Sequence, residues 1–375
     1  MQPVQPPEYE ASEANPSTST SHAARIDAVN LHAPSPPLPR APVNFFGRGV
    51  IVEDLLNFVE RSQSIILLGA GGIGKTAIAL TLLHHPRISA IFGHHRHFMR
   101  CHDLRGSLDE FVGSLSEAIG ASDLKDMAQL LAHLSLSPPR ILVLDGVEHI
   151  LDPLAPGAAE VTSAIEGFDR CQNLRLLVTS KMDVRITDFR RIKVQTLSAN
   201  GARDVFRSRC RLGRSAEVDN LLEELDFHPL SINLLASAVR ENGWDEATLL
   251  EAWNGEKVNI LKVHGSQSLE DNIKSTLATP TIQAHGVTAL ETLGALAGRP
   301  SGARERELES TFAGIAGIGD ATDALCKFFL VYRQDGFFKM LSPFRLYFLA
   351  SHPESDTVRG AVVGNIQYTH QDILG

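Results

Sequence analysis

The chain has 375 residues, of which 43 % are hydrophobic and 21 % charged. That is an ordinary soluble composition with material for about two to three domains. A net charge of −9 disfavours non-specific binding to nucleic acid or an anionic membrane. The four cysteines, Cys101, Cys171, Cys210 and Cys326, form no CxxC pair. This argues against a zinc site or disulfide framework and for reduced thiols in a cytoplasmic protein.

Residues 1–43 hold nine of the 19 prolines and a Ser/Thr tract, and "MQPVQPPEYE" has neither the basic start nor the apolar run of a signal peptide. This composition cannot bury a core and reads as a disordered arm. After Arg48, the residues Val50, Val52, Leu55, Leu56 and Val59 recur at helical spacing. "SIILLG" (64–69) is a short apolar strand, followed by glycines and the apolar helix "TAIALTLL". The window from Ile65 to Leu83 is broken by four glycines and a lysine, so no membrane span is expected. Strands are predicted at 97–101, 140–145, 174–180 and 191–197, and helices at 108–120 and 126–134. Buried strands alternating with helices predict an α/β fold with a parallel sheet covered on both faces, over 44–197.

From Ser198 the pattern turns helical. Ser198 is placed to cap a helix carrying Ala202, Val205 and Phe206, Pro229 suits the first turn of another, and Asp245 can cap "EATLLEAW". These residues define a helical domain over 198–265. A third unit, 266–350, has helices near 269–278, 285–297 and 319–328, then two apolar segments flanking Asp335-Gly336, a hairpin turn signal. Helices, a hairpin and a last helix, "PFRLYFLA", suggest a winged helix, with a tail over 351–375.

Two stretches carry chemistry. "GAGGIGKT", Gly69 to Thr76, fits the phosphate-loop pattern between a strand and a helix. Gly69, Gly71, Gly72, Ile73 and Gly74 would wrap backbone N–H groups round phosphate oxygens, with Ala77 in the first helical turn. Lys75 would reach the β- and γ-phosphates and the Thr76 hydroxyl would ligate Mg²⁺. "LVLDGVEHI" then delivers Asp145 to the carboxyl end of a buried strand, where such sheets bind ligands, as a magnesium partner. Gly146 stands where a second acid often follows, so the candidate base is Glu148, facing either the γ-phosphate or solvent. "LRLLVTSK" ends at Thr179, Ser180 and Lys181, polar groups able to sense the γ-phosphate, Lys181 as a point charge.

The order "FFGR", "GAGGIGKT", "LVLDG", "LLVTSK", "HPLSINLLA" resembles the STAND class of signalling ATPases. More narrowly it is similar to NB-ARC-type nucleotide-binding domains, and "FFGRGVIVEDLL" and "HPLSINLLASAVREN" look like the fungal relatives of NOD-like receptors. The resemblance covers about residues 44–350. It implies a P-loop NTPase domain, a helical domain and a winged helix, with ADP held at rest and ATP when active. It also implies a homo-oligomer in the active state and an unidentified protein partner. Phe46, Gly47 and Arg48, together with Pro229 and Leu230, correspond to the segments that bracket the adenine. The sequence departs from the family in ending the sensor strand with Lys181 in place of arginine. It also has no histidine where the family often contacts the β-phosphate: in "KMLSPFR" Ser342 lies near that position, and Ser342 or Arg345 could substitute.

Other readings are weaker. "HHRHF", with His84, His85, Cys101 and His102, matches no standard metal spacing and reads as an exposed loop. The hairpin and final helix offer only Lys327, Arg333, Lys339 and Arg345, so DNA binding is not expected. The alternatives to a signalling switch are a P-loop kinase of a small molecule and a DNA-binding regulator acting through the winged helix.

Overall fold

The computed structural model describes residues 35–261 and 268–351. Most of the expected disordered arm and nearly all of the expected tail therefore lie outside the described residues. Where the arm is described, the Leu38 side chain packs against the first unit and the Pro39 carbonyl lies 2.8 Å from His84 Nε2.

The first unit runs α1 (Gly49–Glu60), β1 (Ile65–Leu68), α2 (Lys75–Leu83), α3 (Pro86–Phe92), β2 (Arg96–Arg100), α4 (Leu108–Ala118), α5 (Met127–Leu136), β3 (Arg140–Asp145), α6 (Ala158–Asp169), β4 (Leu174–Ser180) and β5 (Arg190–Lys193). The five strands are parallel, in the order β2-β3-β4-β1-β5. Runs such as Ile65–Leu68 and Ile141–Leu144 are buried throughout because helices cover both faces. Alternate side chains feed two cores. Ile65, Leu67, Ile141, Val143 and Leu177 pack under α1 and α2; Ile66, Leu68, Leu142, Leu144 and Val178 pack with Phe111 of α4 and Phe168 of α6. Each such aliphatic side chain contributes about 1.5–3 kcal/mol on burial. The second core continues without a break into the helical units, so the units share one apolar body.

The topology places the chemistry. Because β4 lies between β1 and β3, Ser180 pairs with Leu68 at the start of the glycine loop, and Thr179 pairs with Asp145. Three strand ends therefore meet at one edge. In this unit α3 and α6 lie outside the predicted elements. The seven-residue α3 starts at Pro86, after His85 accepts from the Arg87 N–H. In α6, Ala158, Val161, Ala164, Ile165 and Phe168 form an apolar stripe at helical spacing that was legible but not used. β5 stops at Lys193, short of the expected end at 197.

The second unit is α7 (Ala199–Arg209), α8 (Ala216–Glu224), α9 (Pro229–Asn242) and α10 (Glu246–Ile260). Ser198 caps α7 through the Gly201 N–H, and Pro229 opens α9. The third unit is α11 (Leu269–Leu277), α12 (Pro280–Ala297), β6 (Ala303–Arg304), α13 (Leu308–Thr311), α14 (Ile318–Lys327), β7 (Tyr332–Gln334), β8 (Phe337–Lys339) and α15 (Ser342–Ser351). The hairpin of β7 and β8 turns at Asp335 (φ 53°) and Gly336 (φ 78°), the left-handed pair that such a two-residue turn requires. β6, only two residues long, adds an outer strand to it.

Candidate nucleotide site

The loop from Gly69 to Thr76 leaves β1 and enters α2 with Gly72 at φ 77° and Gly74 at φ 99°, conformations costly for any residue with a Cβ. Its five successive carbonyls are all engaged. Lys75 Nζ donates to Gly69 O at 2.7 Å and Ala70 O at 2.9 Å. His228 Nε2 reaches Gly71 O at 3.0 Å, the Leu230 N–H gives to Gly72 O at 3.3 Å, and Arg48 gives to Ile73 O at 3.0 Å. Among the described residues no acceptor takes the N–H of Gly71, Gly72, Gly74, Lys75 or Thr76. A loop with its carbonyls bound and its N–H groups free, at a helix N-terminus, is an anion cradle.

Lys75 is buried, and burial lowers its pKa to about 8 even though Glu148 and Asp145 oppose that effect. Asp145 Oδ1 accepts from Thr76 Oγ1 at 2.8 Å and from Thr179 Oγ1 at 2.7 Å, so the two expected magnesium partners touch. A hydroxyl and a carboxylate oxygen are the hard donors that Mg²⁺ prefers, and this ion usually takes only one or two protein ligands beside phosphate and water. The donor set therefore fits the ion.

Gly146 has φ 79°, so a second acid directly after Asp145 would be strained at this turn. The turn lets the N–H groups of Gly146 and Val147 both reach Thr179 O at 3.1 Å. Glu148 does not face solvent, being 1 % exposed. Its Oε2 accepts from the Lys181 N–H at 3.1 Å, and its Oε1 lies 3.8 Å from Lys181 Nζ. Oε1 also lies 3.9 Å from where a Cβ on residue 146 would sit. The carboxylate of residue 148 thus stands beside the sector that a side chain at 146 would enter.

The structure brings both expected bracketing segments to this loop. Arg48 is buried, which lowers its pKa to about 10, and it ties Ile73 O to Thr196 O. Gly47, at φ 69°, meets Gly201 so closely that a Cβ would lie 2.9 Å from the Gly201 Cα. Phe46 is exposed at the rim, while Pro229 and Leu230 are half-buried at the start of α9. The residue that sequence reasoning missed is His228, just before that proline. It is fully buried, and burial first, then the charges of Lys75 and Arg48, hold its pKa at about 4, against the opposing bond to Gly71. Since a carbonyl cannot donate, Nε2 carries the proton and the neutral Nδ1 accepts from Ser231 Oγ at 3.0 Å. The ring also meets Phe344 of α15 edge-on at 5.7 Å. Its place as the first residue of "HPL" was the available signal.

One expectation is corrected. His97 does not lie in an exposed loop: it is 2 % exposed within β2, beside Arg140. The Ser342 N–H, at the start of α15, gives to the Asp226 carboxylate. A cleft of about 1060 Å³ opens beside the loop, walled by Ala70, Val194, Thr196, Phe227 and Tyr332; neither Lys75 nor Asp145 lines it.

No family model matches the sequence, and no curated protein matches it. Solved structures do match. The Walker-type ATPase PABY2304 of Pyrococcus abyssi aligns with a TM-score of 0.59 at 14 % identity, covering 83 % of this chain and 97 % of that one. A STAND protein with a tetratricopeptide repeat sensor, PH0952 of Pyrococcus horikoshii, aligns at 0.40 and 12 %, covering 89 % of this chain and 46 % of that one. Drosophila ORC bound to DNA aligns at 0.40 and 15 %, covering 92 % and 96 %. With its parallel sheet, glycine loop and Asp145 at adjoining strand ends, the chain has the α/β fold of the P-loop NTPases. No helix of the described residues is long and apolar enough to cross a membrane.

Proposed function

We propose that the chain is a nucleotide-controlled switch of the STAND type. It binds ATP and ADP with Mg²⁺, hydrolyses ATP slowly, and opens and homo-oligomerises according to the nucleotide held. The observation that carries this reading is the engagement of the phosphate loop by residues of two units, Arg48 on one side and His228 and Leu230 on the other. A ligand in the loop that binds two arrangements of the units unequally shifts their populations. In this reading the third unit is a winged helix used for internal packing, as in the NB-ARC-like proteins the sequence resembles.

This reading gives each residue a role. The free N–H groups of the loop hold the β-phosphate, and a phosphate beside Lys75 raises the pKa that burial lowers to about 8. Thr76 and Asp145 would hold Mg²⁺, which would offset the negative charge of the phosphates. Glu148 takes the proton of the attacking water, and Lys181 faces the terminal phosphate as a point charge. By the family resemblance, Phe46, Gly47 and Arg48, with Pro229 and Leu230, flank the adenine.

Mass spectrometry of the purified native chain tests the reading, joined with sizing in ADP and in ATP. The expected result is bound adenine nucleotide, a larger species with ATP, and loss of both in Lys75→Ala. A wild type that holds no nucleotide and ignores added ATP refutes it. Fast turnover only with an added small-molecule acceptor would favour a kinase instead. A DNA-binding role finds little support, since Arg333 of the hairpin is occupied by Asp323 at 2.5 Å.

A further inference from the structure

The turn that follows Asp145 ends on a contact outside the phosphate chemistry. Asp152, seven positions after Asp145, is fully buried. Both of its oxygens are used. Oδ2 accepts from the Thr281 N–H at 2.9 Å; Oδ1 accepts from Thr281 Oγ1 at 2.5 Å and from the Leu154 N–H at 3.0 Å. Thr281 lies in the first turn of α12, and that helix has no side-chain cap of its own. Its N-cap residue, Thr279, turns its hydroxyl to Thr276 O. A carboxylate of the first unit therefore caps a helix of the third, where the N-terminal N–H groups and the helix dipole favour a negative charge.

Two further contacts seat the α11–α12 corner, one on the same turn and one on the phosphate loop. His149 Nε2 lies 3.3 Å from Ser275 Oγ of α11, and Asn272 lies close enough to Gly71 that a Cβ there would meet its Cβ at 3.3 Å. One short stretch thus begins at the magnesium-binding carboxylate, carries Glu148 in its middle and ends as the cap of α12.

We propose that Asp152 and Thr281 are the positioning pair that couples the nucleotide state to the third unit. The pair fixes the turn that carries Glu148, and a change of the turn on ATP binding releases the cap of α12. This rests on the reading of the loop as an adenine-nucleotide site. The pair touches no phosphate, so its loss separates coupling from binding.

The test is amide hydrogen exchange at residues 279–283 in the full chain, without nucleotide, with Mg-ADP and with Mg-ATP, beside direct titration of both nucleotides. In the wild type, Mg-ATP is expected to raise exchange there roughly tenfold or more over Mg-ADP, the size of losing a hydrogen bond to a charged group. In Asp152→Asn and Thr281→Val, exchange is fast in both nucleotides, the ATP/ADP difference vanishes, and nucleotide affinities stay within about twofold. Thr281→Ser, which keeps the hydroxyl, restores the wild-type pattern. Equal protection in ADP and ATP, with both bound, overturns the coupling and leaves the nucleotide site standing. A wild type that binds neither nucleotide overturns both. Should Asp152→Asn fail to fold, the Thr281→Val and Thr281→Ser comparison decides.

Discussion

Replacing His228 with glutamine removes a titrating group from the junction and keeps a side-chain N–H donor beside the Gly71 carbonyl. In the folded protein, burial, assisted by the charges of Lys75 and Arg48, holds the His228 pKa at about 4, against 6.5 for the free side chain. The folded value lies below the unfolded one, so as pH falls the unfolded chain takes up the proton first. The stabilising contribution of neutral His228 is complete above about pH 6.5 and is lost as pH falls towards about 4. The gap corresponds to roughly 3 kcal/mol at about 1.4 kcal/mol per pH unit. His97, also held at about 4, chiefly by burial and then by Arg140, contributes in the same direction, but equally in both proteins. Urea unfolding of wild type and His228→Gln at about pH 7.5, 6 and 5 isolates the difference. At pH 7.5 the variant should be weaker by about 1–3 kcal/mol, because the fit to Gly71 and Ser231 is lost. By pH 5 that deficit should shrink by about 2 kcal/mol. A deficit that stays constant over the range would show that His228 is not held neutral by the junction, and the argument for a tightly closed contact between loop and α9 would fall with it.

Gly72→Ala and Gly74→Ala make a matched pair. Both place a Cβ at positive φ, but the first also meets Leu230 at 2.8 Å and His228 at 2.9 Å, whereas the second meets nothing within 4 Å. Backbone strain alone costs about 1–2 kcal/mol, and the crowding adds about 1–3 kcal/mol at residue 72; thermal unfolding without nucleotide should rank them so, and equal losses would contradict the packing described. Glu148→Gln should cut single-turnover ATP hydrolysis about 10²-fold or more while ATP still binds, whereas Asp145→Asn should weaken the Mg²⁺ dependence as well. If Glu148→Gln hydrolyses at the wild-type rate, the carboxylate only supports Lys181.

The phosphate loop, the strand ending at Asp145 and the strand ending at Lys181 were legible in the sequence because their signals are local. Closely spaced glycines, a Lys-Thr pair and short apolar runs each state their own conformation. Helical stripes and the Asp335-Gly336 turn were readable for the same reason. Gly146 was puzzling in sequence as the missing acid; its φ of 79° makes it a requirement of the turn.

What tertiary structure alone decided is which distant groups complete the site. His228 reaches Gly71 across 157 positions, and Asp152 reaches Thr281 across 129. No spacing rule links such residues. A histidine before a helix proline, or an aspartate in a turn, looks the same whether it faces water or another unit. The difference comes from burial: once the units share one apolar core, every polar group at their junction must find its partner there, since water no longer supplies one.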